Sequence, residues 1–170
     1  MTTEKKYTPE EIEAIAEKVS KEAMEHFKHG LNCSESVFKA FLDAGISDFP
    51  PETVALVSGM GGGMGGTGNT CGAVNAGMLV ISAMKGRKDP YAKETMEARV
   101  DELHNPETGI YPIHGKYVDK AMEEYGTIGC RELCSPFDQS TPEGKKNRAR
   151  NCKKIIGFCA KEATRIALTK

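Results

Sequence analysis

Cysteine is the residue type in this chain best equipped for chemistry. The 170 residues hold six: Cys33, Cys71, Cys130, Cys134, Cys152 and Cys159. A thiolate binds metals and attacks disulfides, and the protonated thiol does neither well. Four of the six follow residues that cap helices: Asn32-Cys33, Thr70-Cys71, Gly129-Cys130 and Asn151-Cys152. Each of these four is therefore expected in the first turn of a helix, where free N–H groups and a partial positive charge favour thiolate over thiol and lower the pKa. Four such starts converging on one point would make a nest of thiolates. Cys159 lies seven residues after Cys152 on an apolar stripe, and Cys134 follows Leu133 at the end of a short helix. Both are expected to pack in the core, with an accessory ligand or a resolving thiol as the alternative.

Ahead of Cys71 runs GMGGGMGGTGNTCGAV, residues 59–74. Glycine lets a backbone approach a ligand closely, adopt positive φ and aim N–H groups at a negative centre. Gly61, Gly62, Gly63, Gly65, Gly66, Thr70 and Gly72 are accordingly expected to cradle whatever Cys71 holds. The alternative is a flexible turn between buried helices. Gly61-x-Gly63-x-x-Gly66 also matches the dinucleotide fingerprint, but that motif needs a preceding strand and a parallel sheet. Neither is legible here, and no Gly-Lys-Ser/Thr follows for a P-loop.

Composition narrows the classes. Lys+Arg 23 against Asp+Glu 24 leaves a net charge of −1, so no global field favours nucleic acid or a membrane surface. The start, MTTEKKYTPEE, has no apolar core of a secretory signal, and the run from Ala73 to Met84 is too short to span a bilayer. A reducing cytoplasm is expected, where six cysteines serve metals or redox chemistry rather than structural disulfides.

The elements that must position these residues read as helices. Thr8-Pro9-Glu10-Glu11 is a start signal, followed by the stripe Ile12, Ile15, Val19, Ala23 and Phe27, with Gly30 as the stop. Asn32 and Glu35 open a second helix facing Val37, Phe38, Phe41 and Leu42 inward, stopped by Gly45. Pro50-Pro51 starts a third, reaching about Ser58. Gly72 to about Lys85 is apolar on most sides and hence central, with Ala73 and Gly77 admitting a close backbone neighbour. Asp89-Pro90 opens a helix to about Leu103, with Ala92, Met96, Val100 and Leu103 as its stripe. His104 to Gly115 is expected to be loop, Lys116 to Tyr125 helix, Cys130 to Cys134 a short helix, and 135–150 a polar loop. The last helix carries Cys152, Ile155, Ile156, Cys159, Ala163 and Ile166 on one face. The expectation is one all-α domain over 1–170, a compact bundle of about six to seven helices with a Gly-rich loop and a flexible 1–7.

At these residues the chain resembles the family of small redox-active proteins named for a C…GCAxxG…C…C cysteine pattern. The resemblance rests on GLNCSESVFKAF, GGGMGGTGNTCGAVNAG, YGTIGCREL and NCKKIIGF, and spans about Gly30 to Leu168. It carries the same four cysteines: Cys33, Cys71, Cys130 and Cys152. One departure is Cys71-Gly72-Ala73-Val74-Asn75-Ala76-Gly77, whose last glycine falls one place late. The family is inferred to be redox-active and is related to part of the split-Soret cytochromes, which carry haem and an iron–sulfur cluster. The C-x-x-C-H motif of a c-type haem is absent, so the resemblance implies the iron–sulfur or thiol site without that haem.

The functional expectation is an electron-transfer protein in which Cys33, Cys71, Cys130 and Cys152 ligate an iron–sulfur cluster, [2Fe–2S] in kind. An electron carrier is favoured over a catalyst. The alternatives are a thiol–disulfide oxidoreductase or redox sensor without metal, a nucleotide-binding protein, and a helical interaction module. Zinc is the further metal reading, although its usual paired cysteine knuckles are missing. Lys145, Lys146, Arg148 and Arg150, with Lys153 and Lys154, surround Cys152 and are expected to dock an acidic redox partner or offset an anion. A homodimer sharing the site is also open. His26 and His29, Asp101 and His104, and His114 read as ordinary solvated or packed residues.

Overall fold

Thr8 opens the first helix as its neighbours dictate. Its hydroxyl accepts from the Glu11 amide, and the Glu11 carboxylate accepts from the Thr8 amide at 2.8 Å. In the computed structural model, which describes residues 6–169, this cap starts α1, Pro9–Lys28. Residues 1–5 of the expected flexible N-terminus lie outside the described residues. Asn32 repeats the device for α2, Cys33–Asp43, accepting from the Ser34 and Glu35 amides. A 3-10 helix, Pro51–Met60, leads into the tight turn α3, Gly61–Met64, where Gly62 and Gly63 have left-handed φ. Then come α4, Gly72–Lys85; α5, Met96–His104; α6, Ile110–Tyr125; α7, Cys130–Cys134; and α8, Pro142–Leu168. The fold is all-α.

The core is the meeting of α1, α2, α4 and α8. Val19 and Ala23 of α1, Val37 and Phe41 of α2, Val80 and Ile81 of α4, and Ile155 and Ile156 of α8 are all buried there. Burying side chains of this size contributes roughly 1.5–3 kcal/mol each for the larger ones. Charge ties the long pair together at its rim. Arg165 of α8 donates from Nε and Nη2 to Glu13 of α1 at 2.7 and 2.6 Å, and Lys161 pairs with Glu17. The buried Glu162 pairs with Arg165 and with Lys120 of α6, which pins α6 to the same helix.

Four expectations from the sequence are corrected. The polar loop 135–150 ends early, because Thr141 caps a helix that begins at Pro142; its hydroxyl accepts from the Gly144 amide at 3.0 Å. The loop 104–115 likewise ends at Gly109, and α6 contains His114, buried rather than loop-borne. His114 Nδ1–H donates to the Ile110 carbonyl at 2.7 Å, so its Nε2 accepts from the Ser82 hydroxyl at 2.8 Å. Helix α5 begins at Met96 under a Thr95 cap, not at Asp89-Pro90. Its expected inward stripe is not buried, with Met96 69% and Val100 47% exposed. Finally, Gly77 admits a side chain rather than a backbone: a Cβ there would stand 2.1 Å from the Tyr117 hydroxyl.

Candidate functional site

Two strands of loop meet where the glycine run ends. The Cys71 amide donates to the Ile128 carbonyl at 2.8 Å, and the Cys130 amide donates to the Asn69 carbonyl at 2.7 Å. Thr70 and Gly129 form an antiparallel bridge between these bonds. This pairing sets Cys71, the cap residue of α4, beside Cys130, the first residue of α7. Cys33, the first residue of α2, comes to the same place because Asn32 ties α2 to the 3-10 helix, donating from Nδ2 to the Ser58 carbonyl at 3.1 Å.

Glycine is required here at two positions. A Cβ on Gly72 would lie 2.6 Å from the Cys33 sulfur and 2.7 Å from the Met60 carbonyl oxygen. At Gly63, with φ +75°, a Cβ would meet the Cys130 Cβ at 2.7 Å. The run thus lets three cysteine-bearing segments touch. Among the proposed cradle residues, Gly62 lines the cavity described below, and Gly61 packs on the Asn32 side chain. Gly65 and Gly66 form an exposed outer turn, and Thr70 sits in the bridge. Of the cradle residues, Gly65 and Gly66 turn their amides to the Gly61 carbonyl rather than to a ligand. The N–H groups of Gly66, Gly68, Asn69, Cys71, Cys130 and Arg131 donate to carbonyls within the chain.

Five of the six cysteines line one cavity of about 320 Å³: Cys33, Cys71, Cys130, Cys134 and Cys152. All are free thiols. Cys134, expected in the core, is buried but faces this cavity. Cys152 reaches it from within α8, ten residues past Pro142, so the expected N-terminal position for this cysteine is wrong. The basic cluster is correspondingly helical, and it splits. Lys145 and Arg148 stand on the cavity wall, two turns and one turn before Cys152, whereas Lys146 and Arg150 are exposed and off it. The apolar part of the wall comes from Phe27, Leu133, Ile155 and Ile156.

Burial dominates the thiol chemistry of the site. The amides of Val74 and Ala73 pull Cys71 toward thiolate, but burial outweighs them and pushes its pKa up to about 11. Cys152 is pushed up to about 12, by burial first and by the nearby Cys134 second. Cys130 is raised for the same two reasons. The sequence argument for lowered values at helix starts therefore names a real effect and misjudges its rank. Arg148 is the counterweight. Its guanidinium shares the cavity wall with Cys134, Cys152 and Cys130, whose nearness raises its own pKa, and its buried Nε–H has no hydrogen-bond partner.

Cys159 stands apart. It is fully buried against Tyr117 and off the cavity wall. His26 pairs with Asp43 at 3.2 Å. Among the described residues, no three His, Cys, Asp or Glu side chains converge closely enough to hold a single metal ion. None forms a strand ahead of Gly61, so the dinucleotide fingerprint lacks its frame.

With this geometry in place, one comparison speaks. The profile of the family described as "Putative redox-active protein (C_GCAxxG_C_C)" matches residues 31–166, and the chain belongs to that family. No curated protein and no solved structure matches the chain. No helix among the described residues is long and apolar enough to cross a membrane.

Proposed function

We propose that the protein carries single electrons through an iron–sulfur cluster, [2Fe–2S] in kind, held by Cys33, Cys71, Cys130 and Cys152. The observation that carries this reading is the gathering of five free thiols around one cavity of about 320 Å³ in a redox-active family. Four thiolates are the usual complement of such a cluster. The four proposed ligands come from four separate segments, without the paired cysteine knuckles usual at zinc sites. The unpartnered Nε–H of Arg148 on the wall fits an anionic occupant.

When bound, the cluster supplies one-electron chemistry at a potential tuned by charge, hydrogen bonds and burial. The chain's own part is to exclude water with Phe27, Leu133, Ile155 and Ile156, and to offset thiolate charge with Arg148. The exposed Lys146 and Arg150 offer an acidic electron donor a docking face beside the site. A cytoplasmic location suits thiols kept reduced until loaded.

Anaerobically purified protein, assayed for visible absorption, iron and acid-labile sulfide, tests the reading. Absorption that bleaches with dithionite, with iron and sulfide in equal amounts, is the expected result. A colourless protein that takes up neither after reconstitution with ferrous iron and sulfide would overturn it.

A further inference from the structure

We propose that Cys134 and Cys152 form a redox pair, closing to a disulfide when the cavity holds no cofactor and thereby blocking its loading. The blocking rests on the cluster reading above; the disulfide itself does not.

Two separate features bring the pair together. Asn151 donates from Nδ2 to the Leu133 carbonyl at 3.2 Å, clamping the residue before each cysteine to its counterpart. Both cysteines then line the same cavity. Cys130 lines that cavity too, so the chain has a choice of partner. Helix geometry decides it. Cys130 and Cys134 span the single helix α7 at i, i+4, where Cβ atoms lie about 5–6 Å apart. A disulfide requires a Cβ separation of about 3.5–4.5 Å, so α7 would have to unwind to join them. Cys152 belongs to another element and meets no such restriction. Cys159 is sealed in the core beside Tyr117.

The oxidant fitting this arrangement is a low-molecular-weight disulfide. Cys152, the more exposed of the two, meets it first, through the thiolate fraction that the nearby Arg148 favours against burial. Its sulfur attacks one sulfur of the small disulfide, that S–S bond breaks, and one small thiol leaves. Cys134 then attacks the Cys152 sulfur and expels the second. Two protein thiols are oxidised, one small disulfide is reduced to two thiols, and the two cysteine protons pass to the leaving groups.

The test treats the full-length chain, stripped of metal and reduced, with oxidised glutathione, then alkylates it and maps its peptides. A peptide pair joined through Cys134 and Cys152, with the chain lighter by two hydrogen atoms before alkylation, is expected. Cys134→Ser should instead leave glutathione attached at Cys152, and Cys159→Ala should leave the bridge intact. A bridge between any other two cysteines, a persistent wild-type adduct without a bridge, or six alkylated thiols would overturn the pairing. A second arm offers ferrous iron and sulfide to the bridged and the reduced chains. Uptake only after reduction is expected, and equal uptake by both would overturn the blocking. If neither chain takes up a cluster, the cluster reading and the blocking fall while the mapped bridge stands.

Discussion

Cys152 and Cys159 lie two turns apart on one face of α8, and their surroundings are opposite. Around Cys152 the facing segments are α7 and the glycine run, which leave a cavity shared with four other thiols and Arg148. Around Cys159 the facing segment is α6, and Tyr117 fills the space completely. The stripe Lys145, Arg148, Cys152, Ile155, Ile156 and Cys159 therefore passes from a thiol-lined cavity into a core without any change of periodicity. Residue type and spacing put a thiol on a face. What that face meets decides whether the thiol packs or reacts.

The largest expected way to break this contrast is to close the cavity from its glycine side. Gly72→Ala puts a Cβ 2.6 Å from the Cys33 sulfur and against backbone at Met60, neither of which can yield cheaply. Iron and sulfide content should fall to background while helical circular dichroism persists. On the core side, Gly77→Ala drives a Cβ to within 2.1 Å of the Tyr117 hydroxyl. Overpacking of this kind costs about 1–3 kcal/mol, measurable by urea unfolding of the cluster-free chain. Tyr117→Phe removes the nearest atom and should recover part of that loss, giving a coupling between the two sites.

Alkaline pH gives a smaller effect that separates the two ends. In the cluster-free chain Cys71 titrates near pH 11 when folded and near its ordinary 9.0 when unfolded. Below pH 9 both states hold the proton and the stability is fully present. As pH rises toward 11 the unfolded chain releases it first, so stability falls. In a protein loaded as proposed, Cys33, Cys71, Cys130 and Cys152 would already be deprotonated by metal, and their share of this alkaline loss should vanish. The share from Cys159, Tyr117 and Tyr125, whose values burial also raises, should remain. Urea midpoints of both forms between pH 8 and 11, bracketing the Cys71 range, read the difference.

Much of the fold was legible because its signals are local. Thr8-Pro9-Glu10-Glu11, Asn32 with Glu35, and the stripes that follow them appear as helices at those places. Thr141-Pro142-Glu143 carries the same start signal, and it was hidden by the polarity of 145–154, which reads as loop. Had the helix been extended back to Pro142, Lys145, Arg148 and Cys152 would have fallen on one face at i, i+3 and i+7. The exposed stripe of α5 was misread because amphipathic spacing does not say that a partner exists inside the chain. The gathering of Cys71 with Cys130 depends on backbone pairing between 68–71 and 128–131, which leaves no local mark beyond glycine. Cys134 is buried as expected, and it also lines the cavity because α8, an element distant in sequence, builds the facing wall.

The most direct measurement sets the two cysteines of α8 side by side. Iron and acid-labile sulfide per chain are determined for Cys152→Ala and Cys159→Ala, both purified anaerobically and checked for native helix content. The account predicts that Cys152→Ala loses most of its cofactor, whereas Cys159→Ala keeps the wild-type amount and loses only about 1 kcal/mol of stability. Equal cofactor content in the two variants would contradict it.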